Sequence, residues 1–152
     1  MGSRALKPPS TVLYDEDFFA WTMETARLLR AGLLSEVDIE HVAEEIEDMG
    51  KSERREVASR MRIILLHLLK WKWQPEKRSP SWQSTLATQR AELRDAFQDS
   101  PSLRRAVEAI LPKVYRDAVR AATIETELPV GAFPGECPFT PDQFLNEDFL
   151  PE

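Results

Sequence analysis

The chain has 152 residues, of which 42% are apolar, 9% aromatic and 30% charged, and its net charge is −6. This composition is typical of one globular domain and excludes an intrinsically disordered chain. No apolar run approaches the ~20 residues of a membrane span, the N-terminus has no hydrophobic segment and the only cysteine is Cys137, so we expect a soluble cytoplasmic protein without an internal disulfide.

The charge is unevenly distributed along the chain. Residues 1–50 carry 4 basic against 11 acidic side chains, residues 51–94 carry 11 against 4, and residues 95–152 carry 5 against 11. A basic middle between acidic ends favours internal charge complementarity among packed helices. The alternative is a basic face for phosphate or nucleic acid. The net acidic charge disfavours it, because such binding depends on neutralising phosphates.

The chain is predicted to begin with a flexible leader over residues 1–12. The first helix is predicted over residues 16–30, with Asp15 as its N-cap and Gly32 just beyond its end. Apolar side chains at helical spacing give this helix one broad hydrophobic face.

The second and third helices are predicted to be separate. The second covers residues 39–49, between an N-cap at Asp38 and a stop at Gly50. One of its sides is strongly acidic, and its apolar stripe is formed by Ile39, Val42, Ala43, Ile46 and Met49. The third helix, over residues 52–73, is the longest. Its centre is apolar nearly all round, which predicts that neighbouring elements cover it on several sides.

Two further helices complete the predicted bundle. Residues 74–81 are predicted to form a loop, and the fourth helix follows over residues 82–98. Ser100 caps a fifth helix, with a proline in its first turn. Pro112 is expected to kink or split this fifth helix, because proline removes a backbone donor and clashes with the preceding turn.

The C-terminal segment, residues 128–152, differs in character from the rest. It holds 5 of the 11 prolines and 4 of the 7 phenylalanines, so little regular structure is predicted beyond one turn over residues 142–145. Exposing four phenylalanines would be costly at about 25 cal/mol per Å² of apolar surface. We therefore expect the segment to be ordered, either on its own bundle or on a second chain.

The elements together predict an all-α fold. We expect a single domain of about five helices over residues 13–127, with residues 128–152 as an extended segment packed on the same domain. No period-two alternation is long enough to indicate a sheet.

Several segments occur in an order that is typical of one bacterial family. They are YDEDFFAW, AEEIEDMG, KSERRE, HLLKWKWQP, RSPSW, DSPSLR, ECPFTPDQFL and the terminal DFLP. Over residues 13–151 the chain resembles the family known as domain of unknown function, number twenty-nine. The resemblance implies a compact all-helical domain, common in cyanobacteria and proteobacteria. It implies no activity, because the family has no assigned catalytic residues, and no functional residue is carried over.

The first candidate site is a polar edge along the third helix. Glu56, Arg60 and His67 lie near one another in helical projection and border the apolar stripe. The favoured interpretation is a structural network that specifies packing. The alternative is a catalytic pocket, in which Arg60 binds an anion and His67 acts as acid, base or ligand.

The second candidate is a metal site on the second helix. His41, Glu45 and Asp48 follow one another at spacings of four and three residues, which places them near one helix face. With two histidines and one distant cysteine, the chain supplies few zinc ligands. A solvated acidic face is the favoured interpretation, and we expect no metal and no cofactor.

The third candidate is the segment KWKWQPEKRSPSW, residues 70–82. Aromatic residues among basic ones suit stacking on single-stranded bases. They equally suit tryptophans that anchor a loop in the core while the lysine stems extend to solvent, and we favour this anchoring. Trp73 is predicted to be the exposed tryptophan of the segment and to fit a protein interface.

These observations predict a non-enzymatic protein-interaction or regulatory module. Its partner is expected to be another protein, or a second copy bound through the C-terminal segment. The residues predicted to contact the partner are Trp73, Lys72, Arg78, Phe144 and Phe149. The two alternatives are a nucleic-acid-associated protein that uses residues 70–82, and an enzyme that uses the pocket of Arg60 and His67.

Overall fold

The structure, a computed structural model, describes residues 9–152. Its α-helices are α1 (Pro9–Glu16), α2 (Phe18–Arg30), α3 (Ile39–Trp73), α4 (Pro80–Asp99), α5 (Pro101–Arg105), α6 (Val107–Thr126) and α7 (Pro141–Leu145). Three short 3₁₀ turns lie at Leu34–Glu36, Pro75–Lys77 and Val130–Ala132. The described residues contain no strand, and the all-α prediction is confirmed. The chain divides into two compact units, Met1–Lys51 and Ser52–Glu152.

Helix α2 forms much of the first unit, and both of its ends are capped. Asp17, rather than the predicted Asp15, is the N-cap, and its carboxylate accepts a hydrogen bond of 3.0 Å from the Ala20 amide. Gly32 ends the helix as predicted, with a left-handed φ of 72°. The amides of Gly32 and Leu33 donate to the carbonyls of Leu29 and Leu28, which is the Schellman arrangement that favours glycine.

The predicted leader, residues 1–12, lies partly outside the described residues. Residues 9–12 belong to α1, and residues 1–8 are not described. The helix at Pro9–Glu16 is therefore an element that the apolar periodicity did not indicate.

The prediction that Gly50 ends a helix is wrong. The predicted second and third helices form one helix of 35 residues, α3, and Gly50 lies in its interior. A glycine inside a helix costs only about 1 kcal/mol relative to alanine. The glutamate, lysine and arginine residues around it have high helix propensity and outweigh this cost.

The predicted fifth helix is interrupted, but not at its proline. The interruption lies at Ala106, between α5 and α6, and Pro112 lies inside α6. The Ala106 amide bonds to the Leu103 carbonyl at 3.2 Å, and the Ala106 carbonyl accepts from the Ile110 amide at 3.2 Å. Ala106 thus ends one helix and begins the next.

The second unit contains a continuous apolar core. Helix α3 supplies the largest share, and α4, α6 and the C-terminal segment supply the rest. Its fully enclosed members include Met61, Ile64, Leu65, Leu68, Leu69, Leu86, Leu93, Val107 and Phe144. Phe133 and Phe139 are buried in it, and Phe149 packs against it. The predicted packing of the C-terminal segment on its own bundle is confirmed.

Candidate functional site

An aromatic and acidic cluster stabilises the first unit. The Tyr14 ring stacks on the His41 imidazole, with centroids 3.8 Å apart and planes at 15°. The Tyr14 hydroxyl donates a hydrogen bond of 2.6 Å to Glu45 Oε1, and this bond raises the pKa of Tyr14 to about 12. Asp38 bonds to His41 Nδ1, and the carboxylate raises the pKa of His41.

Two of the three predicted metal ligands already have hydrogen-bond partners within this cluster. His41 is paired with Asp38, and Glu45 accepts from Tyr14. Asp48 is exposed, and its Oδ1 lies 3.9 Å from Lys51 Nζ. Among the residues that the structure describes, no group of three or more histidine, cysteine, aspartate or glutamate side chains is placed to hold a metal ion.

An apolar stripe on α3 lies on the surface of the first unit. We call Ile39, Val42, Ile46 and Met49 the α3 stripe. Ile39, Ile46 and Met49 are 59%, 63% and 69% exposed, and Val42 is half-buried. At about 100° per residue, the four side chains lie within roughly 80° of one another on the helix. The sequence identifies this stripe, but its periodicity alone suggests a buried face.

Two α2 side chains add to the exposed apolar surface of the first unit. Phe19 is 74% exposed and Met23 is 59% exposed. They lie one turn apart on α2, on the side away from its buried residues, Trp21, Thr25 and Leu28. Monomeric soluble proteins seldom expose this many large apolar side chains within a short stretch, and such concentrations mark interaction sites.

A row of carboxylates follows α3 on the faces turned away from the α3 stripe. Glu40, Glu44 and Glu47 are exposed and follow one another at spacings of four and three residues. Glu40 and Glu44 form no ion pair with a lysine or arginine in the described part of the chain, and Glu47 has only Lys51, with the two charged atoms 3.9 Å apart. This part of α3 therefore carries an exposed apolar stripe on one face and unneutralised negative charge on its other faces.

The predicted polar edge of the third helix is divided in the structure. Arg60 donates to Glu56 Oε1 at 2.7 Å and to Gln89 Oε1 at 3.1 Å, and it lies 3.6 Å from Glu92 Oε2. Arg60, Glu56 and Glu92 line a cavity of about 210 Å³, and its other charged residues, Glu53, Asp95 and Asp99, are all acidic. The one guanidinium is thus neutralised from both helices, which leaves little attraction for an anion.

His67 does not line the cavity at Arg60. Its Nδ1 bonds to the Ile63 carbonyl at 2.8 Å within α3. Burial lowers the pKa of His67, so the imidazole is neutral at pH 7. Seven residues of helix separate it from Arg60, or about 10 Å. The structure brings Glu56 and Arg60 together and leaves His67 apart.

The tryptophans of residues 70–82 are all half-buried. Trp73 is not the exposed one, because its ring packs on the core and lies 5.5 Å from the Phe133 ring. Lys70 pairs with Glu125 at 2.7 Å and lies over the Trp82 ring at 4.5 Å.

Two other basic side chains of this segment, Arg78 and Lys72, differ in the contacts that they form. Arg78 stacks on Trp71 at 5.0 Å and donates to its carbonyl. Lys72 is exposed, with its Nζ 5.7 Å from the centre of the Trp73 ring. These contacts favour anchoring of the segment over stacking on bases.

The C-terminal phenylalanines are engaged within the second unit. Phe144 is fully buried, and Phe149 lies against Phe139 with ring centroids 5.9 Å apart. Arg90, which the sequence analysis did not single out, is 2% exposed and holds this segment through its backbone. It donates to the carbonyls of Phe144 and Phe149, each at 2.9 Å. The signal that could have found Arg90 is its position on the apolar face of α4, between Leu86 and Leu93.

Comparison with known proteins adds one finding. The sequence model of the family described as "Domain of unknown function DUF29" matches residues 13–150. The chain belongs to this family. The resemblance that the sequence segments indicated is thereby confirmed. No curated protein and no solved structure matches the chain.

The helices were also compared with the requirements of a membrane span. None of the helices in the described part of the chain has both the length and the apolar composition needed to cross a bilayer.

Proposed function

We propose that this chain is a non-enzymatic protein-interaction module, whose first unit binds a basic amphipathic helix of another protein. The observation that carries the proposal is the exposure of the α3 stripe, in which Ile39, Ile46 and Met49 are each more than half exposed. Burying such side chains on a partner would contribute about 25 cal/mol per Å² of apolar surface.

The spacing of the stripe fits a helix as the occupant. Its four residues are separated by three, four and three positions. This alternation is the seam along which two helices pack with side chains interleaved. Ala43 and Gly50 lie beside the seam, and small side chains there allow the backbone of a second helix to approach closely.

The net charge of the first unit indicates the charge that a partner of the α3 stripe would carry. Residues 12–50 carry 2 basic and 11 acidic side chains. Glu47 and Glu40 lie about 80° and 100° round the helix from Ile39, and Glu44 lies on the face opposite the stripe, so these carboxylates act on a partner through the net negative charge of the unit. Lysine or arginine residues on the partner helix would be attracted by this net negative charge.

The same charges disfavour a second copy of this chain as the occupant. Two α3 stripes packed on each other would bring together two first units that each carry 11 acidic against 2 basic side chains over residues 12–50, and surfaces of like net charge repel each other. A dimer through this surface would therefore lose part of the free energy that burial of the stripe provides.

A defined peptide tests the proposal. The probe is a three-heptad helical peptide with leucine along its seam and lysine at the flanking positions, followed by fluorescence anisotropy. We expect it to bind the wild-type chain, and the substitution Ile46→Asp to weaken binding by about tenfold or more, since a charge would then be buried in the seam. Because Ile46 is exposed, the variant should retain its helical circular dichroism spectrum.

Two controls accompany this measurement. Ile124→Asp introduces the same charge at an exposed isoleucine of the second unit and should leave binding unchanged. A peptide with glutamate in place of lysine should not bind. Equal binding of the two peptides, or undiminished binding by Ile46→Asp, would contradict the proposal.

The natural partner can be identified by photo-cross-linking from the α3 stripe. A photo-reactive amino acid is introduced at Met49 in one variant and at Ile124 in another, and both are cross-linked in cells. The expected product forms only at Met49, contains a basic amphipathic helix, and is lost on addition of Ile46→Asp. Cross-linking to the same proteins at both positions would refute a site on the α3 stripe.

A further inference from the structure

A groove runs along α6 in the second unit. Helix α6 and the segment after it enclose a volume of about 430 Å³, within the range of roughly 300–1,000 Å³ that small-molecule sites occupy. Tyr115, Val119 and Phe133 are buried and form its apolar floor. The Tyr115 hydroxyl donates to the Pro134 carbonyl at 2.6 Å, so its donor is already used within the wall of the groove. We call this feature the α6 groove.

Two arginines line the groove without anionic partners. Arg116 and Arg120 lie one turn apart on α6, and both are exposed. No acidic side chain lines the groove. Like charges one turn apart on a helix repel each other, so an anion bound between them would relieve this repulsion.

The carboxylates nearest to these arginines along α6 are committed elsewhere. Asp117 pairs with Lys113 at 3.1 Å, and Glu125 pairs with Lys70 at 2.7 Å. Neither Arg116 nor Arg120 forms an ion pair with any side chain in the described part of the chain. Both guanidinium groups therefore remain available to a bound carboxylate or phosphate, which they are shaped to bind.

Exposed apolar side chains of the second unit concentrate at the same place. Ile124 and Val130, 74% and 69% exposed, are the only large hydrophobic residues of residues 52–152 that are exposed rather than buried or half-buried. Val130 lines the groove, and Ile124 follows Arg120 by one turn on α6. Arg116 and Arg120 therefore lie next to the apolar floor of the groove and next to exposed apolar side chains.

We propose that the α6 groove binds a small amphiphilic anion. Its carboxylate or phosphate head lies between Arg116 and Arg120, and its apolar chain covers Val119 and Phe133 and extends towards Val130. Two cations beside a concave apolar floor suit one such molecule, whereas a nucleic acid requires a longer basic surface. The proposal is independent of the function proposed above, because every residue it uses belongs to the second unit.

Four simple amphiphiles and ions test the proposal by calorimetry and amide NMR. The probes are decanoate and decyl phosphate, each used below its micelle concentration, with decyltrimethylammonium and acetate as controls. We expect at least one of the two anionic amphiphiles to bind at one site, with amide shifts concentrated at Val119, Val130 and Phe133. A preference between the two distinguishes a carboxylate ligand from a phosphate ligand. The cationic amphiphile and acetate should not bind.

Matched variants locate the site. The double substitution R116Q/R120Q should weaken binding by about tenfold or more, because two charge-assisted hydrogen bonds are lost. The double substitution R54Q/R55Q removes the same charge from two exposed arginines of α3 and should leave binding unchanged. Val130→Asp, at an exposed position, should weaken the binding of decanoate, because a charged carboxylate would replace an apolar contact of its alkyl chain.

Several results would overturn the proposal. They are the failure of both anionic amphiphiles to bind, equal binding of decyltrimethylammonium, and undiminished binding by R116Q/R120Q. Equal losses in R116Q/R120Q and R54Q/R55Q would also refute the site, because they would reflect net charge rather than the groove.

Discussion

Arg90 Nε donates a hydrogen bond of 2.9 Å to the carbonyl oxygen of Phe144, which lies 54 positions further along the chain. The same guanidinium also donates to the Phe149 carbonyl at 2.9 Å and reaches the Glu147 carbonyl at 3.5 Å. The buried guanidinium of Arg90 thus donates its hydrogen bonds to backbone carbonyl oxygens instead of to a carboxylate. This one side chain fixes the path of the C-terminal segment over the core.

Removing Arg90 should destabilise the second unit. We expect Arg90→Met to lower the free energy of unfolding by about 2–4 kcal/mol, because buried carbonyls lose their donor. Arg94→Met is the matched control one turn away. Arg94 is half exposed and pairs with Glu147 at the surface, so its loss should cost below about 1 kcal/mol. Urea denaturation of both variants checks this, and equal losses would contradict the role given to Arg90.

The two histidines should titrate in opposite directions. Burial lowers the pKa of His67, and the hydrogen bond to Asp38 raises the pKa of His41. Lys70 and Glu125 also face His67, and their effects on its pKa oppose each other. An NMR titration of the imidazole protons should show one midpoint below and one above the usual value of about 6.5.

This difference has a consequence for stability in acid. Because His67 binds its proton more readily when unfolded, its contribution to stability is present above about pH 6.5 and is lost as the pH falls through the lowered pKa. His41 acts with the opposite sign: its contribution is present below about pH 6.5 and is lost as the pH rises through its raised pKa. His67→Phe should therefore reduce the loss of stability between neutral pH and pH 5, measured by urea denaturation at each pH. An unchanged pH dependence in this variant would count against the burial effect.

Both tyrosines should resist ionisation. The hydrogen bond to Glu45 raises the pKa of Tyr14 to about 12, and burial raises that of Tyr115 to about 12. Since an unfolded tyrosine ionises near pH 10, the stability that these groups contribute is intact below pH 10 and is lost as the pH rises towards 12. Ultraviolet absorbance should therefore detect almost no tyrosinate in the folded protein at pH 10. Half-ionisation at that pH, with the helical spectrum retained, would contradict this.

Glu127 is a site where a substitution should stabilise the protein. It follows α6 with a φ of 59°, in the left-handed region, and is the one non-glycine residue with positive φ in the described chain. Glu127→Gly should raise the free energy of unfolding by up to about 1 kcal/mol by removing this strain. The matched change Glu125→Gly, inside α6, should lower it by a similar amount. Thermal unfolding of the two variants should show shifts of opposite sign.

The helices that the sequence predicted well are those whose ends carry strong local signals. Gly32 was identified correctly because a left-handed residue after a helix is a local requirement that glycine meets. Gly50 was misjudged because a glycine in the αR conformation costs little, and long-range context decides whether a helix continues. Residue type alone does not distinguish the two glycines.

The candidate sites show a similar division. The α3 stripe was recognised from its spacing, but spacing identifies the face of a helix and does not tell whether another element covers it. Trp73 was misplaced because its contact with Phe133 joins residues 60 positions apart. Arg90 was overlooked because its partners are backbone carbonyls, which no side-chain pattern records.

The position of the C-terminal phenylalanines has a consequence for synthesis on the ribosome. Helices α3, α4 and α6 leave the ribosome before Phe144 and Phe149, yet these two residues complete the core that the helices begin. Proteins fold during synthesis from the N-terminus onwards, so the core of the second unit stays open, and Arg90 stays without its carbonyl partners, until residues 144–149 have been made. A nascent chain that stalls shortly before residue 144 would therefore leave open to chaperones and proteases the apolar surface that Phe144 and Phe149 cover in the folded second unit.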